Sequence, residues 1–183
     1  MVKPIRSNRI VKNNPFLSLC VIYRDNEDTF SALLDSIEGS FDEYVFVDTG
    51  SKDGTNALIE KFSQKNNVVR SSFEWCDDFA KARNHSFKCA SGTWRMFLDS
   101  DDTLLEGNRL KALCKKIDTY FPDIKGVFIP YWYDKDENLD TLRLVRWDGL
   151  WTWQDAIHER LVTLHTHSSE RILSRNPACG DRF

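Results

Sequence analysis

Three carboxylates crowd the end of an apolar run. Asp99, Asp101 and Asp102 follow Trp94, Met96, Phe97 and Leu98 in the stretch WRMFLDSDD. Carboxylates this close repel one another unless a positive group lies between them. A hard divalent cation with oxygen ligands is the usual answer, and Mg²⁺ or Mn²⁺ would bring a phosphate with it. An isolated D-x-D also reads as a solvated acidic turn before a helix cap, so the rest of the chain has to decide. A second acidic turn runs from Asp48 to Thr55 and is rich in small polar residues. Within it Asp53-Gly54-Thr55 is ordinary turn and cap chemistry, whereas Asp48 directly follows an apolar run. Arg83 adds a positive charge suited to a diphosphate.

The elements around these residues are legible from spacing. Leu17 to Tyr23 and Tyr44 to Val47 read as strands, and Trp94 to Leu98 as a buried one. Phe30, Leu33, Leu34 and Ile37 form one face of a helix that Gly39 closes. Leu58, Ile59 and Phe62 mark a second helix, and Val68 to Arg70 a short strand. A third helix is expected from Asp78 to Ala90, with Phe79, Ala82, Phe87 and Ala90 inward. Arg83 shares that inward side and needs a partner. No acid lies one turn away, so a ligand is the expected one. Leu110, Leu113, Cys114, Ile117 and Phe121 give a fourth helix. This alternation predicts an α/β fold with a mostly parallel, doubly wound sheet, whose ligands bind beyond the carboxyl ends of its strands. After Pro122 the pattern changes to an antiparallel pair, Val127 to Tyr133 and Leu142 to Trp147, and a last strand from Leu161 to Leu164. Trp132 and Trp147 are expected in the core. Trp151 and Trp153, after Gly149, are expected to wall a sugar site, since aromatic faces suit sugar rings.

At 183 residues with 41% hydrophobic and 29% charged residues, the chain reads as one globular domain. That domain is expected at 16–165, between an N-terminal lead-in at 1–15 and a polar tail at 166–183. A net charge of −3 gives no reason to expect a nucleic-acid partner. Five scattered cysteines without a C-x-x-C pair point to free thiols in a reducing compartment. No run is long enough to span a membrane, so the expected location is the cytoplasm, with peripheral contact at the inner membrane face left open.

Three stretches together carry a family resemblance: VDTGSKDGT from Val47, FAKARNHSF from Phe79, and GTWRMFLDSDD from Gly92. In order and approximate spacing they resemble the family 2 glycosyltransferases of the GT-A fold, with a small antiparallel part on the acceptor side. The likeness implies a nucleotide-sugar donor (a UDP-sugar), a divalent cation (Mn²⁺ or Mg²⁺), and inverting attack by an acceptor hydroxyl. The acceptor would be a glycan, a lipid-linked group or a protein, in cell-surface glycan synthesis. By resemblance Tyr23 and Asp48 border the base, Arg83 and Asn84 face the nucleotide or pyrophosphate, Asp99 meets the ribose, and Asp101 holds the metal with Asp99 beside it. The acceptor hydroxyl needs a general base. The segment from Trp153 to Glu159 is similar to the H-E pattern of a branch that includes lipopolysaccharide-core glycosyltransferases. That likeness favours Glu159, then Asp155, and leaves His158 as a further metal ligand. The same two acids also read as a solvated helical turn. Family members often continue with further helices or a second domain, so a minimal or truncated enzyme is expected. Two other classes stay open: a nucleotidyltransferase, which would normally show a glycine-rich loop where this chain has Tyr23-Arg24-Asp25-Asn26-Glu27, and a non-catalytic nucleotide-sugar-binding module.

Overall fold

The computed structural model describes residues 5–6, 14–133, 136–164 and 171–173. Its elements in chain order are β1 (Ile5–Arg6), β2 (Leu17–Tyr23), α1 (Glu27–Ile37), β3 (Glu43–Asp48), α2 (Thr55–Ser63), β4 (Val68–Ser72), α3 (Phe79–Cys89) and β5 (Trp94–Phe97). A 3₁₀ turn (Gly107–Arg109) then leads into α4 (Leu110–Tyr120), followed by β6 (Ile124–Trp132), β7 (Asn138–Arg146), β8 (Trp151–Gln154), β9 (Arg160–Thr163) and β10 (Arg171–Leu173).

The main sheet has the order β1-β4-β3-β2-β5-β7-β6-β10, and β8 pairs with β9 in a separate small sheet. Strands β4, β3, β2 and β5 are mutually parallel, with β1 antiparallel at one edge. From β2 the chain steps outward to β3 and β4, then returns to β5 on the other side. The switch of direction therefore lies between β2 and β5, where a crevice opens at the carboxyl ends.

Alternation along the central strands builds two cores. Leu17, Leu19, Val21 and Tyr23 of β2 and Tyr44 and Phe46 of β3 face α1, α2 and α4. Cys20, Ile22, Val45 and Val47 face the other way, onto α3 and the β8–β9 hairpin. Strands covered on both faces carry near-continuous apolar runs. Helix α1 buries Phe30, Leu33, Leu34 and Ile37, each side chain contributing roughly 1.5–3 kcal/mol by burial. Past its end Gly39 takes φ +73°, the left-handed conformation glycine adopts without strain.

The sequence reading needs four corrections here. The pair β6–β7 does not form a separate flap: β7 is hydrogen-bonded antiparallel to β5 and extends the main sheet. Strands β1 and β10 fall in the stretches expected to hold no element, because edge pairing uses backbone groups and needs no apolar period. Trp132 is 52% exposed rather than in the core; β5 pairs only with residues 144–146 of β7, so the hairpin tip carrying Trp132 projects past it. Trp151 and Trp153 are core residues rather than an open wall. Two residues apart in β8, they share one face, and Trp153 packs edge-on against Phe87 and Phe97. Trp147 is half-buried against Phe87, with the buried Arg95 guanidinium 4.1 Å from its ring centroid.

Candidate active site

Parallel pairing brings the ends of β2, β3 and β5 to one edge. Tyr23 lies opposite Asp48 in the register. Asp48 accepts hydrogen bonds from the Gly50 and Ser51 amides at 2.9 and 2.7 Å and from Asn56 Nδ2 at 2.8 Å. Partial burial pushes its carboxyl up, but the Asn56 amide and the two backbone N–H groups outweigh that and hold it below the usual range. The Tyr23 hydroxyl donates to Asn56 Oδ1 at 2.8 Å, completing a Tyr23–Asn56–Asp48 chain. The neighbouring loop is laced as the turn reading expected. Asp53 accepts from the Glu27 and Thr55 amides, while Glu27 accepts from the Gly54 amide. A Cβ at Gly54 would overlap the Glu27 carboxylate.

Two arginines thread the acidic turn after β5. Asp99 Oδ1 accepts from Arg83 Nη2, and Asp99 Oδ2 lies 3.4 Å from Arg143 Nη1. Asp102 accepts from Arg143 Nη1 and from the Asp99 amide, both at 2.8 Å. Arg83 Nε in turn donates to Glu159 Oε1 at 2.6 Å. The result is an unbroken alternation of charge, Glu159–Arg83–Asp99–Arg143–Asp102. Both guanidinium groups stand over the Phe97 ring, 4.9 and 4.7 Å from its centroid, and Arg83 is also 5.0 Å from the Trp153 ring. Burial pushes the Asp99 carboxyl up, but Arg83 and then Arg143 hold it below the usual range. For Asp102 burial wins over Arg143 and its carboxyl is pushed up. The positive groups that the crowded acids required are thus two arginines. Arg83 finds its partners 16 and 76 residues away, beyond any local spacing rule.

Arg143 escaped the sequence reading. It lies between Leu142 and Leu144 in a strand, yet Arg143 is only 6% exposed. Val127 pairs with Leu144 and Phe128 with Leu142, so Arg143 is the extra residue of a bulge. A bulge breaks the period and re-aims its side chain. A cation between two leucines in a strand was the one available signal.

Helix α3 carries the β8–β9 hairpin as well as Arg83. Asp78 caps it by accepting from the Lys81 amide. The Phe79 amide, free at the first turn, donates to the Ala156 carbonyl at 3.0 Å. Asn84 holds Trp153 at both ends, accepting from its amide at 3.0 Å and donating to its carbonyl at 2.9 Å. The Asn84 amide is thus hydrogen-bonded to the backbone of the hairpin. Neither Asp155 nor Glu159 lies on a helical turn. They sit in the β8–β9 connection, where Asp155 and His158 take positive φ of 73° and 57°. Asp155 is exposed and paired with Arg160 at 2.9 Å. Glu159 points inward to Arg83, and His158 is exposed. The indole Nε1 of buried Trp153 has no hydrogen-bond partner among the described residues.

Among the described residues no group of three or more His, Cys, Asp or Glu side chains is placed to hold a metal ion. Asp99 is spoken for by two guanidiniums. Asp101 is exposed at the tip of the turn. One free carboxylate fits a cation that arrives with phosphates, since Mg²⁺ and Mn²⁺ need few protein oxygens when a diphosphate supplies others.

The sequence model for glycosyl transferase family 2 matches residues 18–178. The Bacillus subtilis SPbeta prophage-derived glycosyltransferase SunS is 26% identical over 159 residues, which are 85% of this chain and 37% of SunS. A TPR repeat-containing protein of Synechococcus elongatus is 36% identical over 89 residues, 49% of this chain and 21% of that protein. The chain thus spans well under half the length of these relatives. The crystal structure of Staphylococcus aureus TarS 1-349 in complex with UDP-GlcNAc superposes with a TM-score of 0.59 at 26% identity, covering 69% of this chain and 37% of that one. TarS 1-349 has also been crystallised with UDP, at 27% identity and a TM-score of 0.58. A Pyrobaculum calidifontis mannosyltransferase in complex with GDP-Man and Mn²⁺ shares the fold at 20% identity and a TM-score of 0.53.

Proposed function

The chain belongs to glycosyl transferase family 2, and from that premise we propose that it transfers a sugar from a UDP-sugar to an acceptor hydroxyl with inversion at the anomeric carbon. The observation that carries the proposal is the bridge from Glu159 through Arg83 to Asp99, which joins a carboxylate of the acceptor-side hairpin to the nucleotide-side acids. The likeness to TarS, crystallised with UDP and UDP-GlcNAc, supports the choice of nucleotide.

In this reading Tyr23 and Asp48 border the base, with Asn56 fixing both, and Asp99 meets the ribose. Arg83 binds the diphosphate. A cation at Asp101, with His158 as a further candidate ligand, would supply positive charge for the departing diphosphate. Glu159 takes the proton of the acceptor hydroxyl as its oxygen attacks the anomeric carbon. The bond from that carbon to the diphosphate oxygen breaks, and its electron pair leaves with UDP. Attack opposite the leaving group inverts the centre. Because Glu159 and the diphosphate both seek Arg83, donor binding frees Glu159 for the acceptor. Asp155, turned to Arg160, is the second candidate for the base.

The acceptor class extends to glycans, lipid-linked groups and proteins, and the proposed setting is cell-surface glycan synthesis from the cytoplasmic side. Among the described residues no helix is long and apolar enough to cross a membrane. Among the described residues Cys20, Cys76, Cys89 and Cys114 form no disulfide bond. The test is an assay over a panel of nucleotide sugars with Mn²⁺ and with EDTA, alongside calorimetry with UDP. UDP binding that Mn²⁺ strengthens, with turnover of one donor, supports the reading. Binding without any turnover leaves a nucleotide-sugar-binding module, and no binding of UDP or its sugars rejects the reading.

A further inference from the structure

Asp99 is held by two cations, and they are not equivalent. Both side chains are buried, 8% exposed for Arg83 and 7% for Arg143. Arg83 is shared with Glu159 of the β8–β9 connection, whereas Arg143, which enters only because a bulge in β7 turns it inward, is shared with Asp102 of the same acidic turn. It is packed between the Phe97 and Tyr131 rings, 4.7 Å from each centroid. Its Nη1 spans Asp102 at 2.8 Å and Asp99 at 3.4 Å. Asp102 is fixed in turn by the Asp99 amide and the Tyr131 hydroxyl. The Asp102 amide donates to the Asp99 carbonyl at 3.1 Å, so the turn is closed from both sides. Asp101 is the one acid of the three left facing solvent.

We propose that Arg143 is a positioning residue of the nucleotide site, holding Asp99 and the acidic turn in place when Arg83 leaves Asp99 for the donor diphosphate. This rests on the UDP-binding reading above. A carboxylate that lost its only cation in a half-buried site would turn to water or repel the neighbouring Asp102. With Arg143 behind it, Asp99 keeps a charge partner on Oδ2 while Oδ1 is released. Arg143 also holds Asp102 of the same turn, so the turn keeps a charge partner when Arg83 turns to the diphosphate. Lysine, a point charge on a flexible stem, spans two carboxylates less well.

The test is a double-substitution cycle on the full chain, read by calorimetry with UDP and Mn²⁺. Arg143→Met is expected to weaken UDP about tenfold, and Arg143→Lys to restore only part of that loss. In an Asp99→Asn background the same Arg143→Met change is expected to cost less than about twofold, because the residue it acts through has gone. A residue that merely supports the fold would lower affinity equally in both backgrounds, and that result overturns the proposal, as does unchanged affinity in folded Arg143→Met. Where Arg143→Met fails to fold, Arg143→Gln carries the same cycle. No UDP binding by the unsubstituted chain overturns the nucleotide reading and this assignment with it, an outcome distinct from equal losses in a chain that binds.

Discussion

Glu159 and Asp155 lie four residues apart in one connection yet have different surroundings. Glu159 faces the Arg83 guanidinium, and Asp155 faces solvent and Arg160. Glu159→Gln is expected to lower transfer by about 10²-fold or more, the range for a lost general base. Its UDP affinity should hold or rise, because a rival for Arg83 has lost its charge. Asp155→Asn should cost much less, and steady-state rates with UDP calorimetry on both variants settle the order. Arg83 answers to the fold through its pairs with Asp99 and Glu159, as well as to the donor proposed for it. The spacing of α3 alone suggested that its charge could be removed at little cost to stability. Its two carboxylate partners say otherwise. Breaking a buried pair costs about 3–5 kcal/mol, but Asp99 is more than a third exposed and solvent screens it. Arg83→Met is therefore expected to lose about 1–3 kcal/mol in denaturant unfolding as well as UDP affinity.

Helix α3 is where local and long-range information meet. Its extent was legible because helical period and capping are local: Asp78 caps it and Phe87 turns inward as the spacing implied. Its outer and inner faces were less so, for Phe79 is 41% exposed and packs on Trp75 instead of the core. What it holds was not legible, because Asn84 meets Trp153 across 69 residues. The acidic loops after β3 and β5 were readable because parallel strands end together. Arg143 was not, since one bulge reverses the phase of β7 without any mark such as glycine. Trp151 and Trp153 were assigned by chemistry suited to sugars when their period-2 spacing already placed them on one covered face. The Asn84 contacts carry a prediction of their own. Asn84→Ala leaves the Trp153 amide unpaired and its carbonyl with only the Thr152 hydroxyl at 3.4 Å, at about 1–3 kcal/mol in all. Hydrogen exchange should quicken in β8 and β9 while β2 and β3 stay protected; equal quickening everywhere would mean that the contact supports the whole fold.

The molecule as a whole places most of its perturbed acids at the carboxyl edge of one sheet, and this shapes its acid stability. The Asp48 carboxyl is held below its ordinary 3.8 by Asn56 and the Gly50 and Ser51 amides. A depressed folded value contributes stability above the unfolded value and loses it as pH falls through the folded one. Thermal melts are therefore expected to be level above about pH 5 and to fall below about pH 4, with a shallower acid slope in Asp48→Asn. Asp102, raised by burial, works in the opposite sense and gains nothing from higher pH. The same edge also joins two units that recombination would naturally separate. Residues 151–163 look like an exchangeable cassette, a hairpin with its own pairing. Yet its seat is written in α3, at Phe79, Arg83 and Asn84. Grafting that hairpin from another chain would import half of a lock whose other half precedes it by some seventy residues. The hairpin and its seat in α3 thus form one structural unit written in two separated segments, and any library built on this hairpin should vary both.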